Sequence, residues 1–172
     1  MSVLRPNNSG GWGFAIFRVI CILTVVAMTL KAEASSIDVS FGVNTIHLNS
    51  DNMNEENDFI SIEYSVDNSD WGYIASKFVN SYENNTVALG MSYDIVTYDI
   101  IELDLLLGVM KGYKEEDLGD VICPLGEKSD LCWFIAPRVT LPIYKNNYFE
   151  LKVSSLLLGD ALSTSVGLEY KF

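Results

Sequence analysis

Beyond residue 38 the chain alternates in character. Ile60, Ile62, Tyr64 and Val66 take turns with Ser61, Glu63 and Ser65, and Val87, Leu89, Met91 and Tyr93 with Thr86, Ala88, Gly90 and Ser92. Ile101, Leu103, Leu105, Leu107 and Val109 stand against Glu102, Asp104 and Gly108. Near the end, Thr164, Val166, Leu168, Tyr170 and Phe172 oppose Ser163, Ser165, Gly167, Glu169 and Lys171. A period of two puts each class of side chain on its own face of a β-strand. The pattern predicts eight strands, over residues 39–48, 57–66, 71–79, 86–93, 99–110, 133–141, 148–158 and 162–172.

A soluble sandwich would bury the apolar face of such strands, whereas a membrane barrel turns it toward lipid, so alternation alone serves both. Length separates them. These runs reach about 9 to 11 residues, what a tilted strand needs to cross a bilayer and more than the usual 5 or 6 of globular sheets. Phe172 also ends the chain inside an alternating strand, which resembles the terminal signal read by the bacterial outer-membrane assembly machinery. Upstream, Arg5 and Arg18 precede the apolar run VICILTVVAMTL, followed by Lys31 and Ala32-Glu33-Ala34, a small-x-small site before Ser35. The run is shorter than the roughly 20 residues of a spanning helix. It reads as a secretory signal peptide over residues 1–34, with an uncleaved anchor as the alternative.

The expected fold is therefore all-β: an eight-stranded antiparallel up-and-down transmembrane β-barrel over residues 35–172, preceded by a cleaved signal peptide and placed in the bacterial outer membrane as a monomer. With both termini periplasmic, residues 67–70, 94–98 and 144–147 become short periplasmic turns. The outward connections are then 49–56, 80–85, 111–132 and a tight 159–161.

Charge narrows the function. The chain has 172 residues and a formal net charge of -12, room for one domain and too little clustered Lys and Arg for nucleic acid. Removing the leader leaves 8 basic and 22 acidic residues. An apolar fraction of 49% with 20% charged residues argues against disorder. An eight-stranded interior is just wide enough for side chains to fill. Glu63, Glu102, Asp104, Arg138, Glu150, Lys152, Glu169 and Lys171 are expected to make an ion-paired plug there rather than a pore.

Beyond the leader the cysteines are Cys123 and Cys132. In an oxidising compartment they suggest a disulfide closing a short excursion in the long outer connection. A metal site from two thiols lacks further ligands, and a redox pair would sit closer together. Glu55, Glu56, Glu83 and Glu115-Glu116-Asp117 read either as a solvated acidic surface or as holders of divalent cations on lipopolysaccharide phosphates. No cofactor or resident metal is expected. His47, the one histidine, falls at the outer end of the first strand, on the same rim as Asn80 and Ser81 at the end of the third. A His near a hydroxyl can serve as general base, or it can be a structural rim residue.

The order of His47, then Asn54-Glu55 leading to Tyr64, Trp71-Gly72-Tyr73, Phe78-Val79-Asn80-Ser81-Tyr82 and Leu107-Gly108-Val109 resembles the lipid A palmitoyltransferase (PagP) family. The resemblance is collinear over residues 44–172. It implies an eight-stranded outer-membrane barrel that moves an acyl chain from a glycerophospholipid to lipid A. His47, Asn80 and Ser81 match that family's catalytic His and its Asp-Ser pair, with Asn80 standing where the family has a carboxylate. Ser81 would act as nucleophile or as oxyanion support. Ala88, Gly90 and Ser92 would line the acyl pocket, Ser92 at the floor. Pro137 and Pro142, in a strand resembling the family's proline-bearing sixth strand, would open a lateral path for lipid or else only bend the strand. Expected partners are membrane lipids, a phospholipid donor and a lipid A acceptor, and the assembly machinery, with no nucleic acid. Two other functions remain open: a noncatalytic small barrel for envelope protection, reception or adhesion, and a lipid esterase using water as acceptor.

Overall fold

The computed structural model describes residues 35–48, 53–55, 58–113 and 131–172. The expected signal peptide over residues 1–34 and Cys123 lie outside them. Eight antiparallel strands follow in chain order: β1 (Ser35–His47), β2 (Ile60–Val66), β3 (Trp71–Val79), β4 (Asn85–Tyr98), β5 (Ile101–Lys111), β6 (Leu131–Lys145), β7 (Phe149–Leu158) and β8 (Ala161–Lys171). Each pairs with the next, and β8 returns to β1 to close the barrel. Closure satisfies backbone groups that would otherwise face hydrocarbon unpaired.

The distribution of side chains is inside-out relative to a water-soluble protein. Phe41, Ile62, Tyr73, Leu89, Ile135 and Leu168 are between 42% and 66% exposed on the outer wall, while Asp38, Glu63, Asp104 and Glu150 are at most 6% exposed inside. Leu103, Leu105 and Leu107 are half-buried, between buried Asp104 and Leu106 that fill the lumen. Rings gather at the end that carries the short turns: Trp71 against Tyr93 at 4.7 Å, and Phe149 against Tyr170 at 5.1 Å. An apolar wall with an aromatic girdle is the surface of an outer-membrane barrel, and this chain is one.

Turn chemistry fits the short connections. Asn146 Oδ1 accepts the backbone N–H groups of Tyr148 and Phe149, and Ser69 Oγ accepts that of Trp71. Asp99, at a φ of 56°, occupies the left-handed region that Asp tolerates in the two-residue turn between β4 and β5.

Three strands differ from the alternation, for one reason. Register shifts interrupt the ladders between Gly42 and Asn44, between Asp94 and Val96, and between Pro142 and Tyr144. A bulge adds a residue and reverses the parity beyond it. Residues 94–98, expected as a periplasmic turn, therefore continue β4, the turn being residues 99–100. β6, expected to stop at residue 141, likewise runs on to Lys145 past a bulged Ile143.

Candidate functional site

The lumen has two storeys. In the periplasmic half, Arg138 donates through Nη1 and Nη2 to Glu63 at 2.5 and 3.1 Å and through Nε to Asp104 at 2.8 Å. Ser92 donates to Glu63. Lys152 bonds Glu169 at 3.0 Å and stands 3.4 Å from Asp38, which Ser40 also bonds. Lys171 and Lys145 share Glu150. A Cβ on Gly72 would collide with Ser92 Oγ, and one on Gly167 with Ser40 Oγ, so glycine at both positions makes room for this network. The expected plug is thus present, with Asp38, Ser92 and Lys145 added to it, except that Glu102, half-buried on β5, takes no part in the ion pairs among the described residues.

Above the plug the lumen turns apolar. A cavity of about 790 Å³ is lined by Ile74, Phe78, Ala88, Leu106, Met110, Phe134, Leu156 and Leu158, with Thr45, Ser76 and Ser163 along one side. That volume lies within the roughly 300–1,000 Å³ of small-molecule sites. The lining also includes Trp133, Ile135 and Leu157, which belong to the lipid-facing wall. They meet it at a gap in the sheet. The β6–β7 ladder begins at Arg138 paired with Leu156, so residues 131–137 of β6 pair only with β5. Pro137 stands immediately before the first pair and has no N–H with which to extend the ladder. Here the cavity reaches the lipid side; among the described residues the sheet is unpaired also between β1 and β3 beyond Phe41 and Lys77, where Leu48 and Val79 line the cavity. Pro142 lies elsewhere, beside the bulge in the periplasmic half and opposite Lys152, so the two prolines do not make one seam.

At the outer mouth, residues 53–55 bridge the space between β1 and β3. Asn54 donates its backbone N–H to the Ser81 carbonyl at 3.1 Å and its side-chain amide to the Asn80 carbonyl at 3.4 Å. Its own carbonyl meets His47 Nε2 at 3.3 Å, and Met53 lines the cavity beneath. His47 Nδ1 faces Asp160 Oδ1 at 3.5 Å, with the imidazole 1% exposed. Both ring nitrogens thus face oxygen acceptors, and the ring does not line the cavity.

The structure gathers His47, Asn80 and Ser81 on one rim and assigns them different surroundings. Asn80 is buried. Its Oδ1 accepts the backbone N–H groups of Tyr82 and Asn84, each at 3.0 Å, and its Nδ2 donates to the Gly112 carbonyl at 3.3 Å. It caps the β3–β4 turn and ties that turn to the end of β5, with no contact to His47. Ser81 lines the cavity. So does Ala88, whereas Gly90 pairs with Gly108 beneath the Phe134 ring and Ser92 belongs to the plug. The cavity floor is formed by Ile74 and Leu106 instead. Cys132 is fully buried against Ala88, Met110 and Tyr113.

Asp160 and the bridging role of Asn54 had no signal in the alternation, because both lie in connections whose partners come from distant strands. Glu55 and Glu83 are exposed, Glu56 and residues 115–117 lie outside the described residues, and among the described residues no three His, Cys, Asp or Glu side chains converge on a metal position.

No family model matches the chain, and no curated protein matches it in sequence. Solved structures do. The outer membrane protein Ail of Yersinia pestis in a phospholipid bilayer nanodisc is 16% identical with a TM-score of 0.48, over 81% of this chain and 99% of that one. The N-terminal β-barrel domain of Pseudomonas aeruginosa OprF is 12% identical with a TM-score of 0.46, over 82% and 98%. A de novo designed transmembrane β-barrel is 11% identical with a TM-score of 0.45, over 83% and 98%.

Proposed function

We propose that this outer-membrane barrel takes a hydrocarbon chain of a membrane lipid into its upper lumen, admitted sideways between β6 and β7. One observation carries the reading: an apolar cavity of about 790 Å³ that lies above the ionic plug, floored by Ile74 and Leu106, and is lined by both lumen-facing and lipid-facing residues. A polar solute arriving from water loses its hydration in such a chamber and finds few partners there. An acyl chain already in hydrocarbon leaves its lipid neighbours for contacts of the same kind.

Acyl transfer from a glycerophospholipid to lipid A is the chemical extension of this reading, favoured by Ser81 at the cavity edge and by the Asn54 bridge between Ser81 and His47. In that reaction the imidazole of His47 carries its hydrogen on Nδ1, toward Asp160, and Nε2 leaves the Asn54 carbonyl. The acceptor hydroxyl oxygen then attacks the ester carbonyl carbon, and its proton passes to the unprotonated Nε2. The proton then goes to the departing lysophospholipid oxygen as the old ester bond breaks. Ser81 would orient the ester or stabilise the oxyanion. Simple lipid retention is the second reading, favoured because the His47 imidazole is buried against the Asn54 carbonyl without lining the cavity, and Asn80 serves as a turn cap.

Mass spectrometry of lipid A and of co-purified lipid, from cells with and without the protein, tests both. Bound lipid with an added acyl mass on lipid A that disappears in His47→Ala supports transfer. A lost acyl mass supports hydrolysis, and bound but unaltered lipid supports retention. A folded barrel that retains no lipid overturns the proposal.

A further inference from the structure

Between the ionic plug and the apolar cavity lies a second, much smaller chamber, of about 20 Å³. It is bordered by Ile74 and Leu106, which also floor the cavity, and by Arg138 and Lys152 of the plug. Much of the remaining wall is hydroxylic. Ser40 of β1 pairs in register with Ser61 of β2, and Ser154 of β7 with Ser165 of β8, so four neighbouring strands each contribute a serine.

Asp38 also lines the chamber and is 5% exposed. Its Oδ1 accepts the Ser40 hydroxyl, while its Oδ2 is buried without a hydrogen bond. Lys152 Nζ stands 3.4 Å from that oxygen and compensates its charge, but directs its hydrogen bond to Glu169 at 3.0 Å. A buried acceptor without a donor is costly, because in the unfolded chain the same oxygen is bonded to water.

We propose that this chamber binds a single water molecule, which donates to Asp38 Oδ2 and is held in turn by the Ser61 and Ser165 hydroxyls. Size supports it, since one water needs roughly 10–15 Å³ and takes two to four polar partners. Charge selects a neutral ligand over an ion: Arg138 and Lys152 repel a cation, and Asp38 repels an anion. The bound water lets a layer of ions end against an apolar floor with no acceptor stranded at the boundary. The site is independent of whatever occupies the larger cavity, because Ile74 and Leu106 stand between them.

The test is diffraction from crystals of the folded barrel grown with bromide as the sole halide, together with water-oxygen relaxation dispersion in detergent, which counts the waters that tumble with the protein. The expected result is one density peak within hydrogen-bonding distance of Asp38 Oδ2 and Ser61 Oγ, with no anomalous bromide signal there. Ser61→Val fills the chamber and removes one partner, and the count of protein-bound waters falls by about one. Ser165→Val removes the other partner and gives the same loss where the first variant does not fold, as judged by cold-gel mobility. A chamber without density beside Asp38 Oδ2, a bromide peak in it, or an unchanged count in a folded Val variant overturns the proposal.

Discussion

Replacing Arg138 by Met withdraws one cation from between two carboxylates and leaves the barrel wall untouched. The guanidinium makes three hydrogen bonds, of 2.5, 3.1 and 2.8 Å, to Glu63 and Asp104, whose side chains are only 7% and 6% exposed. Deleting one member of a buried ion pair costs about 3–5 kcal/mol, because the charge left behind has lost both water and partner. Ser92 still donates to Glu63, which favours the low end, about 3 kcal/mol. With a urea slope of about 2 kcal/mol/M, the unfolding midpoint in lipid vesicles falls by about 1.5 M. Fluorescence of Trp71 and Trp133 follows the transition. Adding Glu63→Gln and Asp104→Asn to Arg138→Met removes every charge of the triad and should recover about 2 kcal/mol, since neutral groups of similar volume often replace a buried triad without loss. If Arg138→Met unfolds within about 1 kcal/mol of the parent, or the triple variant is no more stable than the single one, the plug is not held by these pairs.

Three further outcomes follow from the upper lumen and rim. Ala88→Trp fills the cavity between Phe78 and Met110 and lowers the lipid retained per barrel at least tenfold by mass, with the cold-gel mobility of the folded barrel unchanged. Asn80→Asp keeps the acceptor for Tyr82 and Asn84 but sets a carboxylate oxygen against the Gly112 carbonyl, costing about 1–3 kcal/mol in urea unfolding; an unaltered midpoint would contradict the capping role. The expected bond between Cys132 and Cys123 would leave neither of these two thiols alkylated in the unreduced folded protein, and modification of both under those conditions refutes it.

The barrel was legible because alternation over long strands is a backbone-level signal, shared by residues as different as Leu89 and Tyr170. It failed where Ile95 and Ile143 bulge out of the ladder, since one extra residue reverses parity and makes a continuing strand look like a turn. Charged lumen residues could be nominated from the same pattern, yet not their pairing, which joins Glu63 of β2 to Arg138 of β6. At the rim, sequence order put His47, Asn80 and Ser81 together. It gave no sign that Asn80 spends its amide on a turn or that Asp160 faces His47, because those facts depend on connections between strands far apart in the chain.

The plug also constrains how the molecule comes into being. Arg138 reaches from β6 to β2, and Lys152 from β7 to β1, so charges early in the chain are neutralised by charges near its end. A half-assembled sheet would carry naked carboxylates and ammonium groups into oil, and no prefix of the strands escapes that penalty. Insertion must therefore be concerted, with the first and last strands meeting before the interior can leave water.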